Sequence, residues 1–191
     1  SATFPQGVQR LASDFLQPNY YFVSAGKVGS THSTIKQRFE WIDIYSGGRN
    51  NNRHGNNNPK AQSVVKNVQQ FWDSKPKKKQ SSVFVFSNTK DGEESYGKAL
   101  ANKLKGRSVR VIHGDKLQSE RNRAIQDFKS GKVTCLVATD VAARGLDVSS
   151  IGFVLQADAP RDVDTYTHRI GRTGRAGRSG ETMTILDSKV G

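Results

Sequence analysis

The stretch VTCLVA at residues 133–138 decides the fold class of this chain. Its apolar residues follow one another almost without interruption, as they do in the runs at 83–87 and 151–156. Strands of this kind, buried on both faces, are typical of a parallel sheet with helices on either side. Cys135, the single cysteine, lies in this stretch. We interpret it as a small core side chain rather than a reactive thiol.

Outward from this stretch, strands and helical patterns alternate along the chain, which predicts a doubly wound α/β domain with a mainly parallel sheet. In such domains ligands are expected in the loops at the carboxyl ends of the strands. The predicted strands are 36–45, 83–87, 109–112, 133–138, 151–156 and 182–186, and the predicted helices between them are 95–104, 117–128 and 162–170.

Two segments are predicted to lie outside this core. Residues 46–58 (SGGRNNNRHGNNN) contain no apolar residue, so we expect a mobile insertion. Asn58 and Pro59 are then the N-cap and first residue of a helix that reaches about Trp72. The basic run at 74–80 is predicted to be a solvated loop, with nucleic-acid contact as the alternative.

The net charge of +13 and the isoelectric point near 10.0 point first to nucleic acid or another polyanion as a partner. A membrane surface is the weaker option, because the sequence shows no basic amphipathic helix with a broad apolar face, and we expect no membrane partner. It also has no run of 18 or more apolar residues, so we expect no membrane span. The chain does not begin with Met or with a signal peptide. We therefore expect a piece of a longer, intracellular protein that works in the cytoplasm, the nucleus or both.

The stretch HRIGRTGRAG at residues 168–177 combines one histidine, three arginines and three glycines. We expect a helix that ends near Gly171 and continues into a tight loop. The planar, permanently charged guanidinium groups on such a loop suit the binding of phosphate oxygens. The alternative is a basic surface loop.

Polar motifs follow the predicted strands in a fixed order. They are FSNTK at 86–90, HGD at 113–115 with QSER at 118–121, ATDVAARGLD at 138–147, and the arginine-rich stretch. Together they resemble the C-terminal RecA-like domain of the DEAD-box RNA helicases, and GKVGST at 26–31 looks most like the Ded and Vasa branch.

The resemblance implies a RecA-like fold for residues 23–191. Residues 1–22 would be the end of a preceding RecA-like domain and the interdomain linker, with Ser1, Ala2 and Thr3 as that domain's third motif. A helix is expected from Gln6 to Leu16 with an exposed apolar stripe. We hypothesise that this helix is displaced or packs against another molecule.

For the nucleotide, the resemblance implies that Asp147 binds the ATP ribose and that Arg172 and Arg175 reach the phosphates. Arg175 is the residue most like the arginine finger of the family. His168 would link the two domains, and Arg169 is expected to support the site through a neighbouring carboxylate. The alternatives are an Asx turn for Asp147 and a capping or core role for His168.

For RNA, Thr89 and Lys90 are expected at a helix start, which favours phosphate, although Asn88 or Thr89 can instead be a simple cap. Arg121 is expected to be half-buried, in a phosphate contact or a structural ion pair. The resemblance implies that RNA binding, and for some of them interdomain coupling, involves Thr89, Lys90, Gly114, Gln118, Arg121, Thr139 and Arg144.

The sequence contains no phosphate-binding loop of the Gly-x-x-x-x-Gly-Lys-Ser/Thr type and no Asp-Glu-Ala-Asp box. The resemblance assigns these, and most of the Mg²⁺ coordination, to the preceding domain, with no metal site on this chain. We therefore expect a fragment that is inactive alone and that completes an RNA-stimulated ATPase and helicase, with protein cofactors as further partners. The alternatives are a non-enzymatic RNA- or protein-docking module and a DNA helicase.

Overall fold

The computed structural model describes residues 6–16, 34–44, 58–76, 81–143, 151–174 and 178–188. The helices and strands in chain order are α1 (Gln6–Phe15), β1 (Ile35–Ile42), α2 (Pro59–Asp73), β2 (Val83–Ser87), α3 (Lys90–Lys103), β3 (Val109–Ile112), α4 (Gln118–Lys129), β4 (Cys135–Thr139), α5 (Asp140–Ala143), β5 (Phe153–Gln156), α6 (Val163–Ile170) and β6 (Gly180–Asp187).

The strands form one sheet in the order β1-β6-β5-β2-β4-β3, and every adjacent pair is parallel. This confirms the predicted doubly wound α/β class. Alternate residues of β2 serve the two faces of the sheet. Val83 and Val85 pack in a cluster with α2 and α3, whereas Phe84 and Phe86 pack in a second cluster with α4 and α5.

Cys135 is fully buried in the first of these clusters. Burial disfavours the thiolate and raises the pKa of the thiol, so the core role predicted for this cysteine is confirmed.

Several helix ends lie where capping residues in the sequence predict them. The side chain of Asn58 accepts hydrogen bonds from the backbone N–H groups of Lys60 and Ala61, and Pro59 opens α2, as predicted. Gly171 caps α6 at its carboxyl end. The helix start expected at Thr89 and Lys90 is confirmed, since Thr89 is the N-cap of α3 and Lys90 its first residue. The helix therefore begins before the apolar pattern at 95–104, because its first turn is held by a cap and presents no apolar periodicity.

Several predictions fall partly or wholly outside the described residues. They concern the insertion at 46–57, the end of the basic run at 77–80, and the interdomain motif Ser1, Ala2 and Thr3. The predicted N-terminal helix is present as α1, with Leu11 and Phe15 exposed. Its assignment to a preceding domain stays a prediction. Among the described residues, no helix is long and apolar enough to cross a membrane.

Candidate functional site

A buried arginine on α6 joins three strand ends at the carboxyl edge of the sheet. Arg169 is 2% exposed. Its Nε donates to Asp140 Oδ1 at 2.8 Å, and its Nη2 donates to Asp140 Oδ2 at 2.6 Å and to Asn88 Oδ1 at 2.7 Å. Its Nη1 donates to the backbone oxygen of Asp158 at 2.8 Å. Since Asn88, Asp140 and Asp158 follow β2, β4 and β5, Arg169 fixes α6 against all three strands. The carboxylate support expected for this arginine is therefore present.

A second charged network lies beside this arginine. Lys60 Nζ is 2.6 Å from Asp158 Oδ1 and 2.5 Å from Asp187 Oδ2. Asp158 also accepts hydrogen bonds from Ser87 Oγ, the backbone N–H of Asn88 and Tyr96 Oη. The network therefore joins the start of α2 to the carboxyl ends of β2, β5 and β6.

Charge pairing outweighs burial in setting the pKa values of this network. Burial opposes the charges of Lys60 and Asp158, but their mutual attraction prevails. It raises the pKa of Lys60 and lowers the pKa of Asp158. Burial and the neighbouring Asp158 carboxylate together raise the pKa of Tyr96. Lys60 and Asp158 are therefore both charged at neutral pH.

The other half of the carboxyl edge, at the ends of β2 and β3, is open to solvent. Thr89 is the N-cap of α3 and accepts from the backbone N–H of Gly92 at 3.1 Å, so the capping alternative for this threonine is realised. Lys90 Nζ is 2.5 Å from Asp115 Oδ1, and the hydrogen bond from Lys90 lowers the pKa of Asp115. Gly114 is exposed, and a Cβ there would meet no atom within 4 Å.

The predicted RNA contacts on α4 lie next to each other. Arg121 Nη1 donates to Gln118 Oε1 at 3.0 Å, and Gln118 Nε2 donates to Asn122 Oδ1 at 2.8 Å. Arg121 is half-buried, as predicted, and its Nε is buried without a partner in the described part of the molecule. Its described side-chain hydrogen bond is the one to Gln118, and both alternatives for Arg121 stay predictions.

Thr139, at the end of β4, covers an acidic side chain that sequence reasoning missed. Glu93 of α3 is fully buried, and neither of its oxygens has a well-formed hydrogen bond among the residues described. Burial raises the pKa of this carboxyl group to about 7, and the nearby Thr139 only partly opposes the shift. Residues 90–94 show no apolar periodicity, so the sequence did not indicate that Glu93 is buried.

The described start of the arginine loop, residues 171–174, lies at the opposite end of the strands, near their amino ends. Arg172 is half-exposed, and the next residue, Thr173, donates from Oγ1 to the backbone oxygen of Ile151 and pairs with it as a parallel bridge. Because Ile151 precedes β5, Arg172 lies near the amino end of that strand. Arg172 therefore lies away from the carboxyl ends of the strands, where ligand loops are expected in this fold class.

A glycine shapes the same loop. Gly174 has φ +67°, and a Cβ there would lie 2.6 Å from Ile35 Cγ1, so a larger residue would be strained at this position. His168 is exposed on α6, which makes the core alternative for this histidine wrong. Arg144, Asp147 and Arg175 lie outside the described residues. Asp147 and Arg175 are close in sequence to Ile151 and Thr173 respectively.

The described residues hold no group of three or more His, Cys, Asp or Glu side chains placed to bind a metal ion. The described titratable groups of the site form hydrogen bonds and ion pairs. The structure thus brings Thr89, Lys90, Gly114, Gln118, Arg121 and Thr139 to one edge of the sheet and places Arg172 near the other.

Residues 60–177 match the family model of the helicase conserved C-terminal domain. The chain is 37% identical to the ATP-dependent RNA helicase DDX4 of Mus musculus over 188 residues, which is 98% of this chain and 24% of that protein. It is also 37% identical to the ATP-dependent RNA helicase vasa of Drosophila melanogaster over 187 residues, 98% of this chain and 25% of that protein. The chain therefore spans about a quarter of the length of these relatives.

Solved structures agree with this similarity. S. cerevisiae Dbp5 L327V bound to RNA and ADP BeF3 has a TM-score of 0.72 and 30% identity, over 98% of this chain and 44% of that one. The E. coli DEAD-box protein SrmB bound to regulator of ribonuclease activity A has a TM-score of 0.62 and 30% identity, over 81% of this chain and 79% of that one. The chain therefore belongs to the helicase conserved C-terminal domain family, as a RecA-like domain similar over nearly its whole length to those of the DEAD-box RNA helicases.

Proposed function

We propose that this chain is the second RecA-like domain of an ATP-dependent RNA helicase. Together with a first domain it couples ATP binding and hydrolysis to RNA binding and duplex unwinding. The observation that carries this proposal is the attachment of α6 by Arg169 to Asn88, Asp140 and the backbone of Asp158. The helix that leads into the arginine loop is thereby joined to the strand ends beside the predicted RNA contacts.

The open edge supports RNA binding. Lys90 and Gln118 are exposed there, and Arg121 is half-buried beside them. On a chain with a net charge of +13, such cations and amides suit the phosphate backbone of RNA. Thr139 and Gly114 would contribute at the same edge, Thr139 through its hydroxyl and Gly114 by leaving room for close approach. Arg144 is assigned to RNA only by the family resemblance.

The arginine loop supports a contact with ATP. Arg172 is half-exposed beside Thr173, whose bond to Ile151 connects the segment after Asp147 with the segment before Arg175. We propose that Asp147 binds the ribose and that both arginines bind the phosphates. Charge neutralisation by an arginine finger contributes about 10³–10⁵ in rate to phosphoryl transfer, and we assign that role to Arg175. His168, exposed on α6, would contact the first domain, which would also hold most of the Mg²⁺ coordination.

We propose that this chain alone does not hydrolyse ATP and that its partners are RNA, a first RecA-like domain and protein cofactors. The relatives support the last point, since SrmB has been solved bound to a regulator protein and Dbp5 bound to gle1. We propose that it acts inside the cell, in the cytoplasm, the nucleus or both, because RNA is present in these compartments.

The test is Arg175→Ala in the full-length protein that contains the first domain. We expect the RNA-stimulated ATPase rate to fall by about 10³-fold or more, with RNA affinity nearly unchanged. Lys132→Ala, at an exposed lysine outside the candidate site, is the matched control. An ATPase rate in Arg175→Ala equal to that of the control would contradict the arginine-finger assignment.

A further inference from the structure

A buried carboxyl group lies beneath the open part of the carboxyl edge. Glu93, in the first turn of α3, is fully buried. Neither of its carboxyl oxygens has a well-formed hydrogen bond among the residues described. A buried polar group without a partner costs free energy and is rare in native folds. Glu93 therefore reduces the stability of the domain, which points to a role other than holding the fold together.

Three of the predicted RNA contacts surround this carboxyl group. Thr89 and Lys90 begin the same helix, and the hydroxyl and backbone of Thr139, at the end of β4, face the Glu93 carboxyl group. Thr139 is half-exposed, so its hydroxyl can contact RNA on one side and Glu93 on the other. A phosphate bound at Thr139 would be separated from the carboxyl group by this one side chain.

The first turn of α3 is held in place, so Glu93 stays beneath the edge. The side chain of Thr89 accepts a hydrogen bond from the backbone N–H of Gly92 at 3.1 Å, and Ser87 Oγ donates to the backbone oxygen of Thr89 at 3.0 Å. A Cβ on Gly92 would collide with Ser87 Oγ, because the turn packs closely against the end of β2. Glu93 therefore faces Thr139 whether its carboxyl group is protonated or ionised.

The charges near Glu93 leave it close to half-ionised at neutral pH. The elements packed against α3 are β2, β3, β4 and α2. The titratable groups that they carry at this edge are each paired with another residue: His113 with Glu94, Asp115 with Lys90, Asp140 with Arg169, and Lys60 with Asp158. On its own helix, Glu94 disfavours and Lys90 favours the Glu93 charge, but burial is the largest effect and raises the pKa of Glu93 to about 7.

The two forms of Glu93 offer Thr139 different hydrogen bonds. A threonine hydroxyl has one hydrogen and two lone pairs, an ionised carboxylate only accepts, and a protonated carboxyl group also donates. Thr139 Oγ1 accepts from the backbone N–H of Ala142 at 3.5 Å. A protonated Glu93 can donate to the second lone pair and leave the hydroxyl hydrogen for a phosphate oxygen. An ionised Glu93 accepts that hydrogen itself, and its charge repels the phosphate.

We propose that Glu93 is a positioning residue for RNA: protonated, it donates to Thr139 and frees the Thr139 hydroxyl for a phosphate, and ionised, it competes with that phosphate. This inference rests on the RNA contact proposed above for Thr139. RNA binding and protonation of Glu93 then favour each other. The chain takes up a proton from solvent as RNA binds, and its RNA affinity falls as the pH rises through the neutral range.

The experiment compares Glu93→Gln with wild type in filter binding of a 12-residue oligouridine to this 191-residue chain, at pH 6 and pH 8 and constant ionic strength. The glutamine amide donates permanently. The variant should therefore bind like wild type at pH 6 and about fivefold more tightly at pH 8, the ratio expected when RNA makes Glu93 about tenfold harder to ionise. His113, the other group on this edge whose charge can change in this range, is present in both proteins and does not affect the comparison.

Calorimetry measures the proton directly. At pH 7.5, in phosphate and in Tris buffer, wild type should take up about half a proton more per bound RNA than Glu93→Gln does. Glu120→Gln removes the same charge at an exposed residue of α4. This control should change the ratio of the affinities at pH 6 and pH 8 by less than about twofold, because an exposed carboxylate is screened and already ionised.

Thr139→Val is a second, independent variant that removes the hydroxyl. It should weaken RNA binding more at pH 6 than at pH 8, because the ionised Glu93 already holds the hydroxyl hydrogen at the higher pH. Circular dichroism establishes that each variant is folded.

A ratio of Glu93→Gln to wild-type affinity that is the same at pH 6 and pH 8 would overturn the proposal, since a purely structural role acts equally at both. A loss in Thr139→Val that does not depend on pH would overturn it as well. If Lys90→Ala weakens RNA binding while the Glu93 comparison shows no pH dependence, the role of Glu93 alone is wrong. If Lys90→Ala and Thr139→Val both bind RNA like wild type, RNA does not lie at this edge, and the RNA contacts proposed above are wrong together with this inference.

Discussion

The two halves of the carboxyl edge use the same kinds of residue in opposite surroundings. We name the ends of β5 and β6, together with Arg169 of α6 beside them, the closed half. The side chains of Lys60, Asp158, Asp187 and Arg169 there are at most 16% exposed. At the ends of β2 and β3, the open half, the side chains of Lys90 and Asp115 are 55% and 65% exposed.

This difference in exposure predicts different roles. Breaking a buried ion pair leaves an uncompensated charge, which is strongly destabilising. An exposed pair contributes between zero and about 1 kcal/mol and exchanges readily with water or a ligand. Charges of the closed half should therefore maintain the fold, whereas those of the open half are available to a polyanion. The variants below test this division.

The largest effect on stability is expected from Arg169→Ala. The substitution removes the partner of Asp140 and Asn88 and leaves the Asp158 carbonyl without its donor. We expect the free energy of unfolding to fall by about 3–5 kcal/mol, measured by urea denaturation. Arg169→Lys should recover little of this loss, because an ammonium group cannot reproduce the bidentate contact with Asp140.

Arg123→Ala is the matched control, since Arg123 is an exposed arginine of α4. It should change the free energy of unfolding by less than about 0.5 kcal/mol. A loss for Arg169→Ala no larger than that of the control would show that the closed half does not maintain the fold.

A smaller, pH-dependent effect is expected from Glu93→Gln, at the buried carboxyl group of α3 beside Thr139. The folded pKa of Glu93 is about 7, above its ordinary value of 4.5. The favourable contribution of the protonated carboxyl is therefore complete below about pH 4.5 and is lost as the pH rises to about 7. The variant should gain stability relative to the wild type between pH 5 and pH 8, by up to about 3 kcal/mol.

Thermal unfolding at pH 5 and pH 8 measures this gain. The exposed Glu120→Gln on α4 serves as the control and should show little change in stability between the two pH values. An equal difference in Tm between Glu93→Gln and wild type at both pH values would contradict a buried carboxyl group with a raised pKa.

Features that depend on neighbours in sequence were predictable. The nearly continuous apolar runs gave the parallel sheet, and Asn58 with Pro59 gave the start of α2, because capping involves backbone groups only a few residues away. Gly171 likewise marks the end of α6. Among the predicted site residues, Gly114, Gln118 and Arg121 are close because all three follow β3 within a few residues, and their position near Thr89 and Thr139 follows from parallel strands that end at one edge.

Features that depend on distant parts of the chain were not predictable. Lys60 and Asp158 are 98 residues apart in sequence, and no spacing rule connects them. Glu93 is buried by the packing of α3 on the sheet, which a charged residue in a polar turn does not indicate. The position of Arg172 follows from the direction of α6, which starts after the carboxyl end of β5 and returns the chain to the amino end.

The smallest effect on stability is expected from Lys90→Ala and Arg121→Ala, which test whether the charges of the open half bind RNA. Each should weaken single-stranded RNA binding by this chain about five- to tenfold at low salt and reduce the salt dependence of the affinity by roughly one phosphate contact. Neither should lower the free energy of unfolding by more than about 1 kcal/mol, because the Lys90 pair is exposed and Arg121 forms its described hydrogen bond with an exposed Gln118.

The matched control is Lys129→Ala, at an exposed lysine near the carboxyl end of α4. It shares the helix with Arg121 but lies away from the open half, so RNA affinity should remain within about twofold of wild type. Filter binding over a salt series and urea denaturation measure the two quantities. If the open-half variants lost stability rather than RNA affinity, the exposed charges would be structural as well, and the two halves of the edge would not differ in role.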